Sequence, residues 1–306
     1  MEVFFLVFFK IISVLLSVFV GYIAGKSDLV HKSSITALLF YFIAPIVFFS
    51  IPANSNLTFS TLSIALVSFI ISCILCFVSY AFFGMFWQDN NRNILALSSG
   101  TANSVYFMLP IASYLFDENT LSMYMMAVIG VSIYESSVGF YVGARSINST
   151  KQSIERVLKL PLLHAFFLGC VYTFFGFDLP NFLNEFITSM KVTLSALGMM
   201  VIGLEVSSIK SFKIDFKFTG MALLAKFVFF PLAIGIFIFL DKYLFGWYGI
   251  ECHKALILLS CAPMAINTIV ISAILNFSPE KVAASVLISS IFVMIYIPFM
   301  VTMFIM

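Results

Sequence analysis

Ser98-Ser99-Gly100-Thr101-Ala102-Asn103, running on to Pro110, and Ser260-Cys261-Ala262-Pro263-Met264-Ala265-Ile266-Asn267-Thr268 decide how this chain folds. Each sets small, amide and proline residues, most of them poor helix formers, in the middle of an apolar run long enough to cross a bilayer. In hydrocarbon an interrupted helix is tolerated only where its freed backbone groups are buried in protein or line a cavity. A pair of interruptions at corresponding places in two halves of a chain points to a transport site near the bilayer midplane. Proline, glycine and hydroxyl residues also serve as kinks and packing points in membrane helices, and one such stretch alone would be read that way. Two of them favour a site.

The composition around these stretches agrees. Of 306 residues, 62% are hydrophobic and 10% charged, whereas soluble globular chains carry about 25% charged residues. This excludes a soluble globular domain and implies an all-α polytopic protein whose main partner is the lipid bilayer. A net charge of +2 leaves no footprint for nucleic acid. Four of the five cysteines lie inside apolar spans, so no disulfide framework is expected. Cys73-x-x-Cys76 has redox spacing but sits in an unbroken apolar run, where small packing residues are the simpler reading. The 38 phenylalanines are spread over nearly all the spans, as lipid-facing side chains would be. There is no glycine-rich phosphate loop, no H-E-x-x-H and no G-x-S-x-G, so no cofactor, ATP-driven pump or enzyme is indicated.

At about 20 apolar residues per crossing, the chain divides into ten candidate transmembrane helices. The first five are Val3 to Ala24, Thr36 to Pro52, Thr61 to Trp87, Ile94 to Phe116 and Leu121 to Ala144. The second five are Val157 to Phe177, Phe186 to Leu204, Phe218 to Leu240, Ala255 to Phe277 and Val282 to Met306. The first is read as a membrane helix rather than a cleaved signal peptide, because no basic segment precedes it. Pro45 is expected to kink helix two.

Charge placement tests this division. With the N-terminus outside, the cytoplasmic loops hold Lys26, Lys32, Arg92, Arg145, Lys151, Arg156, Lys159, Lys210, Lys213, Lys217 and Lys281, and the opposite loops only Lys242 and Lys254. That bias fits the positive-inside rule with both termini non-cytoplasmic. The polar stretch 145–156 then joins two five-helix units, 1–144 and 157–306. Five is odd, so two copies of one unit must lie in the membrane with opposite orientation, as inverted repeats. Helices four and nine are the broken ones, and they would cross.

The second half of a broken helix begins with unpaired N–H groups and a partial positive charge, so two such ends facing each other make an anion site. Asn103 and Asn267 offer amides there; Ser99, Thr101, Ser104 and Thr268 offer hydroxyls; Pro110 and Pro263 free backbone carbonyls. Glu135 lies mid-span, where a charge costs about 2.5–3.5 kcal/mol. It is read as a coupling group for H+ or Na+, a cavity wall or a protonated packing residue. Lys226 could attract an anion from helix eight, although snorkelling to the inner surface is the simpler expectation. Lys10 and Lys191 lie within spans with no evident partner. No metal site is expected.

The order and spacing of these residues resemble the auxin efflux carrier family, including its bacterial malonate and malate permeases, over essentially the whole chain. Gly21-Tyr22-Ile23-Ala24-Gly25 followed by a helix with Pro45 resembles that family's opening. Asn103 with Pro110 is similar to its fourth-helix motif, and Leu160-Pro161, Leu179-Pro180 and Val201-Ile202-Gly203-Leu204 to the start of its second half. Lys226 with Pro231 and Ala262-Pro263-Met264-Ala265-Ile266-Asn267-Thr268 resemble its eighth and ninth helices. Met108 stands where the family usually has glycine, and Glu135 is not part of the family pattern. The resemblance implies a scaffold bundle and a transport bundle, elevator-type alternating access, and organic-anion substrates such as dicarboxylates or auxin-like acids. It also implies binding at Asn103, Pro110, Pro263 and Asn267, a bacterial-type inner (plasma) membrane, and homodimers as an assembly common among relatives. The rival readings are a sodium-coupled symporter of the bile-acid transporter type and a non-transporting membrane sensor with the same fold.

Overall fold

The computed structural model describes residues 2–27, 29–54, 59–143, 161–207, 214–274 and 277–305, and every regular element among them is helical. α1 is Glu2–Lys26; α2 (Lys32–Leu38) passes through a π turn, Leu39–Ile43, into α3 (Ala44–Ala53). α4 is Phe59–Phe83, α5 Asn90–Gly100 and α6 Met108–Leu115. α7 (Glu118–Tyr134) continues through a π turn, Glu135–Gly139, into α8 (Phe140–Gly143). α9 is Pro161–Phe174 and α10 Asn181–Ser207. α11 (Phe216–Leu224), a π turn at Ala225–Phe229, α12 (Phe230–Leu240) and a π turn at Asp241–Phe245 form one run. α13 (Ile250–Ser260), α14 (Asn267–Ile274) and α15 (Pro279–Phe304) complete the described chain.

Among the described residues, six helical runs are long and apolar enough by themselves to cross a membrane: Ser33–Ala53, Leu62–Phe83, Glu118–Gly143, Asn181–Leu204, Phe216–Phe245 and Pro279–Phe304. The two stretches that open this account are absent from that set because each is cut in two, α5 from α6 by residues 101–107 and α13 from α14 by residues 261–266. The expected linker 145–156, the start of helix six at Val157, and Lys210 and Lys213 lie outside the described residues, as do the side chains of Lys10 and Glu205. Pro45 follows a π turn in which the Ala44 N–H reaches back to Leu39, and the wider turn leaves room for the proline ring.

Aspartates begin three helices. Asp89, Asp117 and Asp215 accept the N–H of Asn91 (2.9 Å), Thr120 (3.1 Å) and Phe218 (3.0 Å), satisfying donors that a helix start leaves open. Asp215 also pairs with Lys281 at 2.6 Å, and Lys281 reaches Asn91 Oδ1 at 2.7 Å, so the first turns of α5, α11 and α15 gather on one face. The Lys281 ammonium and the Phe218 N–H hold the Asp215 carboxyl below the usual carboxylate range. This tie is therefore complete at neutral pH and is lost as the pH falls through that lowered value.

The helices pack in two groups. α1 lies along α10 and α3 along α9 and α10, while α4, α5, α7 and α11 to α15 pack among themselves, with α15 also touching α1. The α1–α10 contact depends on glycine at close approach: a Cβ on Gly21 would fall 2.0 Å from the Met200 carbonyl oxygen, and one on Gly203 2.0 Å from that of Val18. Small residues let membrane helices approach in this way. Gly235 has nothing within 4 Å of its would-be Cβ. Gly21→Val is thus expected to destabilise by about 1–3 kcal/mol, the usual cost of overpacking, seen as a lower thermal midpoint in detergent. Gly235→Val should leave the midpoint unchanged.

Candidate functional site

The two interruptions meet. Arg92, at the start of α5, donates from Nε to the Tyr80 carbonyl near the end of α4 (2.8 Å), so α4 and α5 run in opposite directions. Tyr248, just ahead of α13, reaches Ser63 Oγ near the start of α4 (2.8 Å), so α13 enters from the side opposite α5. Where the two helices break, the Asn103 N–H donates to the Pro263 carbonyl at 3.0 Å. At the next residue of the second break, the Met264 N–H is taken by Ser289 Oγ of α15 at 3.1 Å. These bonds replace helical partners that the breaks remove, as backbone buried away from water requires.

The helix ends are less open than a bare interruption would leave them. The Met108 N–H, at the start of α6, bonds the Asn103 carbonyl (3.2 Å), and the Thr268 and Ile269 N–H groups bond Ala265 (3.2 Å) and Ile266 (2.8 Å). The local turns 104–107 and 263–266 fold back on the helices they lead into, so the expected pair of free N-termini is partly satisfied from within.

Beside the crossing lies a cavity of about 80 Å³ lined by Asn103, Ser104 and Tyr106 of the first break, Asn267 of the second, Ser132, Glu135 and Ser136 of the α7 run, and Ala44 and Phe48 of α3. Asn103 is 3% exposed, and its amide nitrogen has no hydrogen-bond partner. Leaving such a group unpaired costs about 1–3 kcal/mol. The Asn267 amide donates to Glu135 Oε1, joining the second break to the π turn that begins at Glu135. π turns are frequent at functional sites because they re-aim side chains.

The remaining sequence candidates divide. Pro263 acts through its carbonyl. Thr101 turns its hydroxyl to the Ser98 carbonyl (3.1 Å), and Ser99 its own to that of Ala96 (2.8 Å), so both stabilise the end of α5 rather than face the cavity. The Thr268 hydroxyl is buried without a partner behind the cavity wall. Pro110 sits in α6 against a different cavity, beside Lys191.

Lys226 does not snorkel. It is 0% exposed, at the π turn Ala225–Phe229, where it donates to the Thr101 carbonyl freed by the first break and lies 4.1 Å from the Phe230 ring centre. Its charge attracts that of Glu135 from behind the crossing. Tyr106, Ser132 and Ser136 are the cavity residues that sequence reasoning missed. Tyr106 rests on Gly198 of α10, where a Cβ would come within 2.3 Å of the ring. Its position between Asn103 and Pro110 was the available signal.

Because Lys226 fills the acceptor left by the break, Lys226→Met should strand a buried carbonyl and lower stability by about 1–3 kcal/mol. Lys242→Met, on an exposed side chain, should not. Thermal midpoints of the purified proteins compare the two directly.

The chain matches the membrane transport protein family over residues 144–301. It is also similar to an uncharacterized transporter of Methanocaldococcus jannaschii, 25% identical over 299 residues that cover 94% of this chain and 95% of that protein. Helices apolar enough to span a bilayer and a family match across more than half of its length make this a multi-pass membrane protein that belongs to the membrane transport protein family, the family of the auxin efflux carriers.

Proposed function

We propose that this protein is a secondary active or facilitative carrier, an efflux carrier or permease, for small organic anions. The observation that carries the reading is the buried, unpartnered amide nitrogen of Asn103, a residue that lines a cavity at the crossing of two interrupted helices. An amide N–H seeks an acceptor, and a carboxylate supplies one in charge-assisted form. At about 80 Å³ the cavity takes a small acid. With a water needing roughly 10–15 Å³ of such space, it holds on the order of five to eight waters. That favours short carboxylates and dicarboxylates such as malonate over auxin-like acids, whose rings would require it to widen.

Glu135 gives the site its coupling. An ionised Glu135 repels a carboxylate across the cavity, and a protonated one can donate a hydrogen bond to it. Substrate and proton therefore bind together, with Asn103 and Asn267 orienting the anion. The grouping of α1, α3, α9 and α10 on one side of the cavity and the crossing helices on the other suits elevator-type alternating access, the second group sliding on the first. In this reading residues 1–144 and 157–306 are inverted five-helix repeats joined at 145–156. The face gathering Arg92, Asp215 and Lys281 is cytoplasmic, the termini lie on the other, and the membrane is a bacterial-type inner (plasma) membrane. A homodimer would be built on the α1–α10 side.

Ser132, one turn before Glu135, and Ser136, next to it, both in the cavity wall, support a second reading in which sodium rather than a proton neutralises the carboxylate. Counterflow in sealed proteoliposomes separates these. Malonate, malate, a monocarboxylate and indole acetate are presented with and without sodium and a pH gradient. Exchange of the short acids, driven by a pH gradient and indifferent to sodium, is the expected result; Glu135→Gln should keep exchange and lose the pH drive. A sodium requirement lost in Glu135→Gln supports the second reading, and movement of cations or neutral solutes alone overturns the anion assignment. Malonate binding without any flux would indicate a membrane sensor.

A further inference from the structure

Lys191 lies ten residues into the 27-residue helix α10 (Asn181–Ser207), well inside a segment apolar enough to span the membrane. No hydrogen bond or ion pair reaches it among the described residues, although Glu118 at the start of α7 acts on it electrostatically. A cation at such depth needs a reason. It borders two cavities. One, of about 380 Å³, is lined also by Glu118, Asn54 and Asn184, and the other, of about 530 Å³, by Pro110 and Ser17; Ser113 and Thr188 border both.

These spaces lie on the seam between the two helix groups, with α10 on one wall and α6 and α7 on the other. The first of them runs towards the crossing. Its α3 wall is Val47, Ser50 and Ile51 and its α7 wall includes Ser122 and Met125, whereas the cavity beside Asn103 is bordered by the neighbouring Phe48 and by Ala44 of α3 and, one turn on from Met125, by Ile129 of α7. Both therefore share the α3–α7 groove, and the approach starts at the face that carries Asn54 and Glu118.

We infer that Lys191 is a second, peripheral carboxylate-binding site, a vestibule in which an organic anion is held between the seam walls before it enters the cavity at the crossing. The lysine supplies a point charge and the Ser113 hydroxyl a hydrogen-bond donor, while the Thr188 hydroxyl and the Asn184 amide, which donate to the carbonyls of Asn184 (2.9 Å) and Leu179 (3.3 Å), would turn from them to meet an anion. Glu118 lies at the mouth and keeps Lys191 from binding so tightly that the anion could not move on. A path with several weak sites conducts better than one with a single deep one. The inference rests on the carrier reading for its direction of use, but not for the binding itself.

Thr188, exposed and three residues from Lys191 on α10, reports the local charge. In Thr188→Cys vesicles, a sulfonate-bearing thiol reagent is expected to react about three- to tenfold faster, relative to a quaternary-ammonium reagent, than it does when Lys191→Met is added, the range expected for one half-exposed charge. Lys191→Arg should restore the ratio, and malonate should slow the sulfonate reagent only when residue 191 is basic. The parent protein with its five native cysteines supplies the background rate. In the counterflow assay, Lys191→Met should raise the KM for malonate by a similar factor with little change in maximal rate.

An unchanged reagent ratio in Lys191→Met, or malonate protection that persists without the lysine, overturns the vestibule. Charge-dependent labelling and malonate protection without any counterflow would leave the vestibule standing and overturn the carrier reading. Counterflow with an unaltered KM in Lys191→Met would do the reverse.

Discussion

A bilayer interior offers no water to a backbone group that leaves its helix, and the architecture around residues 101–107 and 261–266 answers to that one constraint. The Asn103 N–H takes the Pro263 carbonyl, Ser289 takes the Met264 N–H, and Lys226 takes the Thr101 carbonyl. Each break is repaired by a group from another element, and two of these three repairs come from outside the broken helices altogether. The crossing is thus held from α15 and from the α11–α12 run, and the breaks hold each other. What the repairs leave over is chemically specific: the amide nitrogen of Asn103 and the hydroxyl of Thr268 are buried without a partner, and Asn103 borders the cavity.

Charge is distributed around the crossing in the same economical way. Lys226 is spent on backbone and on the Phe230 ring, so the ionisable group that lines the cavity is an acid, Glu135, held by the Asn267 amide. A carrier for anions with an acid in its cavity must bring a cation with its substrate or discharge the acid first. Lys191 sits a few turns away, on the opposite wall of the seam, where an unpaired positive charge can draw an anion in without competing with the cavity. In the proposed reading, attraction is placed along the approach and selectivity at the crossing.

Much of this was legible in the residues. Gly100, Asn103, Pro110, Pro263 and Asn267 stand out because nothing else in an apolar span explains them, and the opposite running of the two broken helices follows from the loop lysines. Gly21 and Gly25 stand out in the sequence only as part of the family resemblance, and their close approach to α10 emerges from the structure. Other features were hidden for physical reasons. π turns have no sequence period of their own, so the re-aiming of Glu135 and Lys226 could not be read from spacing. Snorkelling is the usual fate of a lysine near a helix end, and only the carbonyl stranded by a break on another helix makes burial of Lys226 the better arrangement. Ser99 and Thr101 look like ligands by type, but hydroxyls also bond the carbonyl three residues earlier, and here they do. Tyr106 and Phe48 reach the cavity through tertiary packing, which a single sequence does not encode locally.

The central claim is that a carboxylate binds between Asn103 and Asn267 only when Glu135 carries a proton. Malonate affinity of the purified protein, measured by titration calorimetry from pH 5 to pH 9, tests it most directly. Affinity is expected to fall as the pH rises, with a limiting slope of about tenfold per unit, to be flat in Glu135→Gln, and to be lost in the Asn103→Ala, Asn267→Ala double variant. Affinity that is independent of pH in the unaltered protein, or binding that survives the double variant, would contradict it.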